Sequence, residues 1–298
     1  MECLRAKRVN KLKRREKMTN EEYHKLFKVL YEKNNLKPIT LYQVGNYLNI
    51  SPKTLRKRMR ESNAYENCPD VFVHILKTLH SFDSINEESA YWIGYLMADG
   101  CFTSISANQN VYRLMLECKK DDKEILDKFC NFLGIRTDRI TEGHNGQSVA
   151  LCLADSNFST SVNKWGILKN KSYKDLSIPE TIKNNQVFFY QFLKGLVDGD
   201  GTVMMQWGRK GISIVSNSET LLKQCKKILQ STLPVPSSVW LYKASVSKKQ
   251  TQLLYILKIG TGKKKGNPNI QYIFNMFYKE HKIILSRKYL LIKELGSL

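Results

Sequence analysis

Two stretches of this chain, "YWIGYLMADGCF" (91–102) and "FLKGLVDGDGTV" (192–203), follow one plan: an apolar run, small residues four apart, an Asp-Gly pair, then a β-like run. Gly94 and Ala98 carry the spacing in the first copy, Gly195 and Gly199 in the second. Small residues at i and i+4 line one face of a helix and let another backbone approach closely. Two such helices can pack along those faces, flanked by Trp92, Leu96, Leu193, Leu196 and Val197, which brings Asp99 and Asp200 to one point. Carboxylates at the negative ends of two helix dipoles repel each other. A divalent cation between them offsets the repulsion, and a few hard oxygens with positions open to water and phosphate suit Mg²⁺. Such a pair, related by a pseudo-dyad, can serve two scissile phosphates, one on each strand of a duplex. A lone Asp-Gly is more simply a turn or helix end; its repetition in matched surroundings is what points to a site. A calcium-loop reading of "DGDG" fails, because EF-hand spacing puts Leu196 and Trp207 at the first and twelfth ligand positions.

The repetition extends beyond the helices. After each Asp-Gly come two strand-like runs, "CFTSIS" and "VYRLMLECK" in the first copy, "TVMMQW" and "GISIVS" in the second. An amphipathic helix follows, "DDKEILDKFCNFLG" (121–134) or "SETLLKQCKKILQ" (218–230), then another strand pair, "RITEG" and "SVALCLA" or "SVWLYKAS" and "QLLYILKIG". The order helix, two strands, helix, two strands, helix occurs twice with a repeat of about a hundred residues. The expected fold class is therefore α+β, a duplicated αββαββα unit with one antiparallel four-stranded sheet per copy.

Charge narrows the partner. The 298 residues carry a net +21, and residues 1–64 alone hold 17 Lys/Arg against 6 Asp/Glu. Cations gain affinity for a polyanion by releasing the counterions condensed on its phosphates. Residues 1–17 read as a basic arm too poor in apolar groups to order itself. Residues 18–61 read as a helical module: Thr19 caps a helix with Tyr23, Leu26, Phe27 and Leu30 at helical spacing, and "TLYQVGNYLNISPKTLRKRMRE" reads as a helix-turn-helix. There Val44, Leu48, Ile50, Leu55 and Met59 form the internal face, Gly45 sits at the close approach, and Ser51 and Pro52 open the second helix. That helix projects Lys53, Thr54, Arg56, Lys57 and Arg60, as a recognition helix should. Residues 62–84 are expected to be a linker with one helical patch, "VFVHILKTL". Seven scattered cysteines form no C-x-x-C pair, no window approaches the ~18 apolar residues of a membrane span, and no secretory signal opens the chain. The expectation is an intracellular, non-secreted protein with reduced thiols.

"WIGYLMADG" (92–100) and "LKGLVDGDG" (193–201) resemble the two signature segments of the LAGLIDADG homing endonucleases. The second copy keeps Leu193, Gly195, Leu196, Asp198, Asp200 and Gly201; the first keeps Gly94, Ala98, Asp99 and Gly100 but has Met97 in place of the motif's first aspartate. Two motifs in one chain resemble the single-chain, pseudo-symmetric members, which implies subdomains at 85–182 and 183–298 and two saddle-shaped sheets in the major groove of a long asymmetric duplex site. The resemblance further implies that Asp99 and Asp200, with the backbone carbonyls of Ala98 and Gly199, bind Mg²⁺ (Mn²⁺ substituting), and that a monomer makes a staggered double-strand break. "WGILKNKSYK" (165–174) and "LSRKYL" (285–290) are similar to family segments whose lysines lie beside the metal, which carries a catalytic role to Lys171 and Lys288. Base-facing candidates on the strands are Thr103, Arg113, Gln206, Arg209, Ser213 and Lys243, and the loop "TGKKKGNPN" (261–269) is expected along the DNA backbone. Alternatives are a helix-turn-helix transcription regulator with a non-catalytic LAGLIDADG-like domain, and a maturase for host intron RNA. The ends of the chain lack intein signatures, so an intron-encoded or free-standing origin is expected, in a bacterial or phage-infected cell or an organelle.

Overall fold

Helix α4 (Glu87–Ala98) starts at Asn86, whose side-chain oxygen accepts from the Ser89 amide at 2.8 Å while Ser89 Oγ accepts from the Asn86 amide at 2.8 Å. This capping box meets two of the amide donors that a helix start leaves unpaired. Helix α8 (Gln186–Asp200) opens in a related way, with Asn185 Oδ1 accepting from the amides of Val187 and Phe188. Both helices are apolar almost all round, and residues 90–98 and 189–198 are buried without a break. A helix with that composition has to be enclosed on every side. The two enclose each other, packed face to face more extensively than any other pair of the described elements.

The computed structural model describes residues 18–33, 41–62, 81–104, 112–135, 137–143, 146–154, 156–167, 175–204, 211–244, 253–260, 268–278 and 283–297. The chain separates into two compact units, Met1–Thr78 with Leu133–Ile135, and Leu79–Phe132 with Arg136–Leu298.

In the first unit, α1 (Asn20–Lys33), α2 (Leu41–Leu48) and α3 (Pro52–Glu61) gather around Tyr23, Phe27, Leu41, Val44, Leu55 and Met59, with Leu26, Leu30, Leu48 and Ile50 packed against them. Thr19 and Glu22 form a capping box at the start of α1, and Ser51 Oγ accepts from the Thr54 amide at 3.1 Å to cap α3. Between α2 and α3 the chain turns through Asn49, the one described non-glycine residue with positive φ (52°). Gly45 is required there, since a Cβ on it would lie 2.8 Å from the carbonyl oxygen of Ile50. The basic arm 1–17 and the patch "VFVHILKTL" lie outside the described residues.

In the second unit each motif helix runs straight into a sheet. After α4 come β1 (Cys101–Ser104), β2 (Tyr112–Lys119), α5 (Lys123–Leu133), β3 (Ile140–Glu142), β4 (Ser148–Ala154) and α6 (Ser156–Asn163). A short helix, α7 (Glu180–Lys183), precedes α8, and then the order repeats: β5 (Gly201–Met204), β6 (Gly211–Ser216), α9 (Glu219–Thr232), β7 (Val239–Lys243), β8 (Tyr255–Ile259) and α10 (Pro268–Tyr278). The sheets are both antiparallel and both four-stranded, with the same spatial order, β1-β2-β4-β3 and β5-β6-β8-β7. Identical topology in two halves is the expected duplication, realised strand for strand. Two helices of the second half, α7 and α11 (Ser286–Ser297), have no counterpart among the described residues of the first.

Two expectations change. The stretch before Ile85 is not all linker: Phe82 is fully buried, stands edge-on to Phe132 and Phe158, and its carbonyl accepts from Trp165 Nε1 at 2.6 Å. Core packing therefore begins before the capping box. At the other end, Pro268 and Asn269 open α10 rather than ending a loop; Asn269 is buried and bonds both backbone groups of Val235.

Candidate active site at the tips of the paired motif helices

The approach of α4 to α8 is set by glycines. A Cβ on Gly94 would stand 2.0 Å from the Phe192 carbonyl oxygen, and one on Gly195 would stand 2.1 Å from that of Tyr91. No side chain fits at either crossing point. Nearer the tips, a Cβ on Gly199 would lie 2.4 Å from Ala98 Cβ and 3.5 Å from Asp99 Cγ. The residue just before Asp200 thus abuts the Asp99 side chain, and the four packing residues Gly94, Ala98, Gly195 and Gly199 form the seam that the sequence indicates.

Asp99 is the C-cap of α4, half-buried, with its amide on Tyr95 O at 2.9 Å. Asp200 is the last residue of α8 and is exposed; Gly201 then turns extended to start β5. Both carboxylates therefore sit at helix-to-strand junctions, where the helix dipoles are negative. Among the described residues no group of three or more His, Cys, Asp or Glu side chains is placed to hold an ion. Two carboxylates with backbone oxygens form an all-oxygen set of low count, which fits Mg²⁺ and does not fit Zn²⁺.

Lys288, on the first turn of α11, is only 4% exposed. Its ammonium donates to the carbonyl oxygens of Val197 (2.5 Å), Asp198 (2.7 Å), Gly201 (2.9 Å) and, more weakly, Gly199 (3.3 Å). A cation held by the Gly199 carbonyl would share that oxygen with this ammonium. Burial pushes the Lys288 pKa down, against the pull of Asp198.

Asp198, in the position that Met97 fills in the other copy, is buried; its Oδ2 accepts from Tyr91 O–H at 2.9 Å, and its Oδ1 has no hydrogen-bond partner among the described residues. Burial raises its pKa, opposed by the charges of Lys194 and Lys288. Lys194, fully buried, donates to the carbonyls of Phe277 (3.2 Å) and Ile283 and lies over the rings of Tyr278 (4.5 Å) and Tyr91 (5.4 Å). Burial pushes its pKa down to about 8. This buried lysine went unremarked in the sequence, although a lysine inside an apolar motif helix was a visible signal.

Register sorts the strand candidates by face. Thr103 and Arg113 are direct cross-strand partners, both exposed, on the face opposite the buried pair Phe102 and Leu114. Ser213 pairs with Thr202 and Lys258 on the matching face of the second sheet, although Ser213 itself is 7% exposed. Lys243 differs: it shares a side with Val239 and Leu241, toward α9, and lines a cleft of about 540 Å³ with Lys223, Lys226 and Lys227. The open-face residues of that strand are Trp240 and Tyr242, both exposed, with Lys258 Nζ 5.0 Å from the Tyr242 ring. They could have been found by assigning Val239 and Leu241 to the core first. Lys53, Thr54, Arg56 and Lys57 are all exposed on α3; Thr54 Oγ1 lies 2.9 Å from Ser51 Oγ within the cap. Lys171, Gln206, Arg209 and residues 261–267 lie outside the described residues.

Residues 190–291 match the family model of a LAGLIDADG-like domain. Similar solved structures include the meganuclease I-SmaMI bound to uncleaveable DNA with a TTGT central four, at 14% identity and a TM-score of 0.46, over 71% of this chain and 88% of that one. They also include the I-LtrWI LAGLIDADG homing endonuclease bound to target DNA, at 12% and 0.41 over 70% and 89%, and the homing endonuclease I-WcaI bound to its DNA recognition sequence, at 15% and 0.37 over 71% and 86%. No curated protein matches the chain.

Proposed function

We propose that this protein, whose residues 190–291 match the model of a LAGLIDADG-like domain, is a site-specific DNA endonuclease that hydrolyses one phosphodiester on each strand of a long, asymmetric duplex site. The observation that supports the reading is the seam of α4 and α8, where a Cβ on Gly199, the residue before Asp200, would lie 3.5 Å from Asp99 Cγ, in a chain of net charge +21. Asp99 and Asp200 would hold Mg²⁺, or Mn²⁺ as a substitute, which when bound would supply an activated water and stabilise the departing oxygen. The rest of the work falls to the chain itself. Thr103 and Arg113 on one open sheet face, and Trp240, Tyr242 and Lys258 on the other, hold the duplex across the two tips. Arginine reads base edges, lysine mainly contacts phosphate, and the exposed rings of Trp240 and Tyr242 pack against sugar and base. Lys53, Arg56 and Lys57 on α3 add contacts that lengthen the recognised site. Because the two halves differ in sequence at every such position, an asymmetric site bound by a monomer follows.

The test starts from duplexes selected out of a randomised pool by binding in EDTA. A supercoiled plasmid carrying the selected site is then incubated with Mg²⁺ or EDTA. Linear product with Mg²⁺ alone is expected for the wild-type chain, and nicked circles for Asp99→Asn or Asp200→Asn with binding retained. Tight binding with no break in either strand overturns the endonuclease in favour of a DNA-binding regulator.

A further inference from the structure

We propose that Lys288 is a positioning residue: it clamps the last turn of α8 so that Asp200 is presented to its scissile phosphate, and the strap that leads into it, residues 283–287, is held in place by the first half of the unit. This deepens the endonuclease reading and rests on it. An ammonium has three protons, and four backbone carbonyls take them. None is left for a phosphate in this arrangement. The oxygens are those of Asp198 and Gly199 in the last turn of α8, of Val197, which also accepts the Gly201 amide, and of Gly201 at the start of β5. A buried cation is the natural group to gather them, since it also opposes the negative end of the helix dipole. The residue whose backbone lies between those oxygens is Asp200.

What holds Lys288 comes from both halves. Ile283 O accepts from Lys194 on α8, and Ile284 O accepts from Lys128 on α5 of the first half. Ser286 donates its amide (2.7 Å) and hydroxyl (3.0 Å) to the Glu124 carboxylate, placing a negative charge at the start of α11. Arg287 grips Asp122 through Nε at 3.3 Å and Nη2 at 2.9 Å. Leu285 is buried. Over six consecutive residues, then, the strap is fastened to α5 near Asp99's half and ends on the tip of α8. Cleavage by the Asp200 side depends on a contact made by the other half of the unit, and the two strands are cut by centres with unlike support.

Single-turnover cleavage of a duplex labelled on either strand tests this with Lys288→Met, Lys288→Arg and the latch variant Asp122→Asn/Glu124→Gln. Lys288→Met is expected to slow one strand by about 10- to 100-fold, the range for residues that support a metal's ligands, and the other less than about threefold. Lys288→Arg, which keeps a cation able to reach the same carbonyls, restores part of the rate. The latch variant, changed only at half-buried or exposed carboxylates, shows the same strand bias in a smaller measure. Two further readouts do not depend on turnover: amide exchange at residues 198–202 rises in Lys288→Met, and electron paramagnetic resonance of the DNA complex shows one Mn²⁺ site weakened and one retained. Equal slowing of both strands, or unchanged amide exchange, overturns the proposal while leaving the endonuclease intact. A wild-type chain that binds its selected site and cuts neither strand removes the endonuclease, and the positioning role with it.

Discussion

Helices α4 and α8 cross at Gly94 and Gly195 with their backbones in near contact, yet the flanking side chains differ in kind. Ile93 and Met97 stand on α4, Lys194 and Asp198 at the matching positions of α8. All four are buried. The difference follows from what each helix faces. The carbonyls of Phe277 and Ile283 end near α8, and a lysine there satisfies them. Asp198 then offsets the lysine and takes the Tyr91 hydroxyl from α4. Backbone geometry fixed by glycine tolerates either interior; the charged one is built where an extra segment of chain supplies acceptors. Opposite charges buried near each other add little to stability compared with well-packed apolar side chains, but removing one of them is costly. The two helices should therefore respond very differently to mutation.

The sharpest way to break the comparison is at what the helices share. Gly195→Ala puts a methyl where the Tyr91 carbonyl oxygen is 2.1 Å away and the Tyr95 amide nitrogen 2.6 Å away, backbone that cannot rotate aside. Overpacking typically costs about 1–3 kcal/mol, and here the whole helix pair must separate, so the variant is expected not to fold, as read by loss of the cooperative thermal transition. Next comes Lys194→Met, which strands the Phe277 and Ile283 carbonyls and leaves Asp198 with less compensation. Urea unfolding should show a loss of about 3–5 kcal/mol. The matching change on α4 is Ile93→Met, expected to cost less than about 1.5 kcal/mol; equal losses at the two positions would erase the distinction drawn between the helices.

Copying one interior into the other sharpens it further. Lys194→Ile with Asp198→Met gives α8 the α4 pair, and its stability should fall within about 1 kcal/mol of wild type or above it, far better than the single change. The smallest effect is a pH dependence. Folding lowers the Lys194 pKa from its ordinary 10.5 to about 8, so between those values the unfolded chain binds more protons than the folded one. Stability from this group then rises with pH across about 8 to 10.5. Against the double variant, wild type should gain with pH over that window, by no more than about 1.4 kcal/mol per pH unit. A flat difference would mean that Lys194 titrates alike in both states.

Much of the molecule was legible in the sequence because periodicity and punctuation were strong. The small-residue spacing at 94/98 and 195/199 gave the helix seam, and the repeated strand pairs gave two sheets of one topology. What stayed hidden depended on contacts distant in the chain. Lys288 stands out in sequence only through the resemblance of "LSRKYL" to a family segment, and its burial beneath the end of α8, against carbonyls 87–91 residues away, comes from the fold alone. Lys243 reads as an open-face candidate until Val239 and Leu241 are seen beneath α9, which moves it to the other side and exposes Trp240 and Tyr242. Phe82 belongs to the core through Phe132 and Phe158, partners that no local pattern reveals.

By itself the sequence determined the duplicated αββαββα order, the glycine seam and the placing of one carboxylate at the end of each motif helix, because each is set by residue type and spacing within a few turns of chain. Only the tertiary structure decided which lysines are buried, which face of each strand is open, and that α11 ties the first half to the tip of α8. Those outcomes depend on which backbone oxygens lack partners after the halves have packed, and a buried cation goes wherever such oxygens gather.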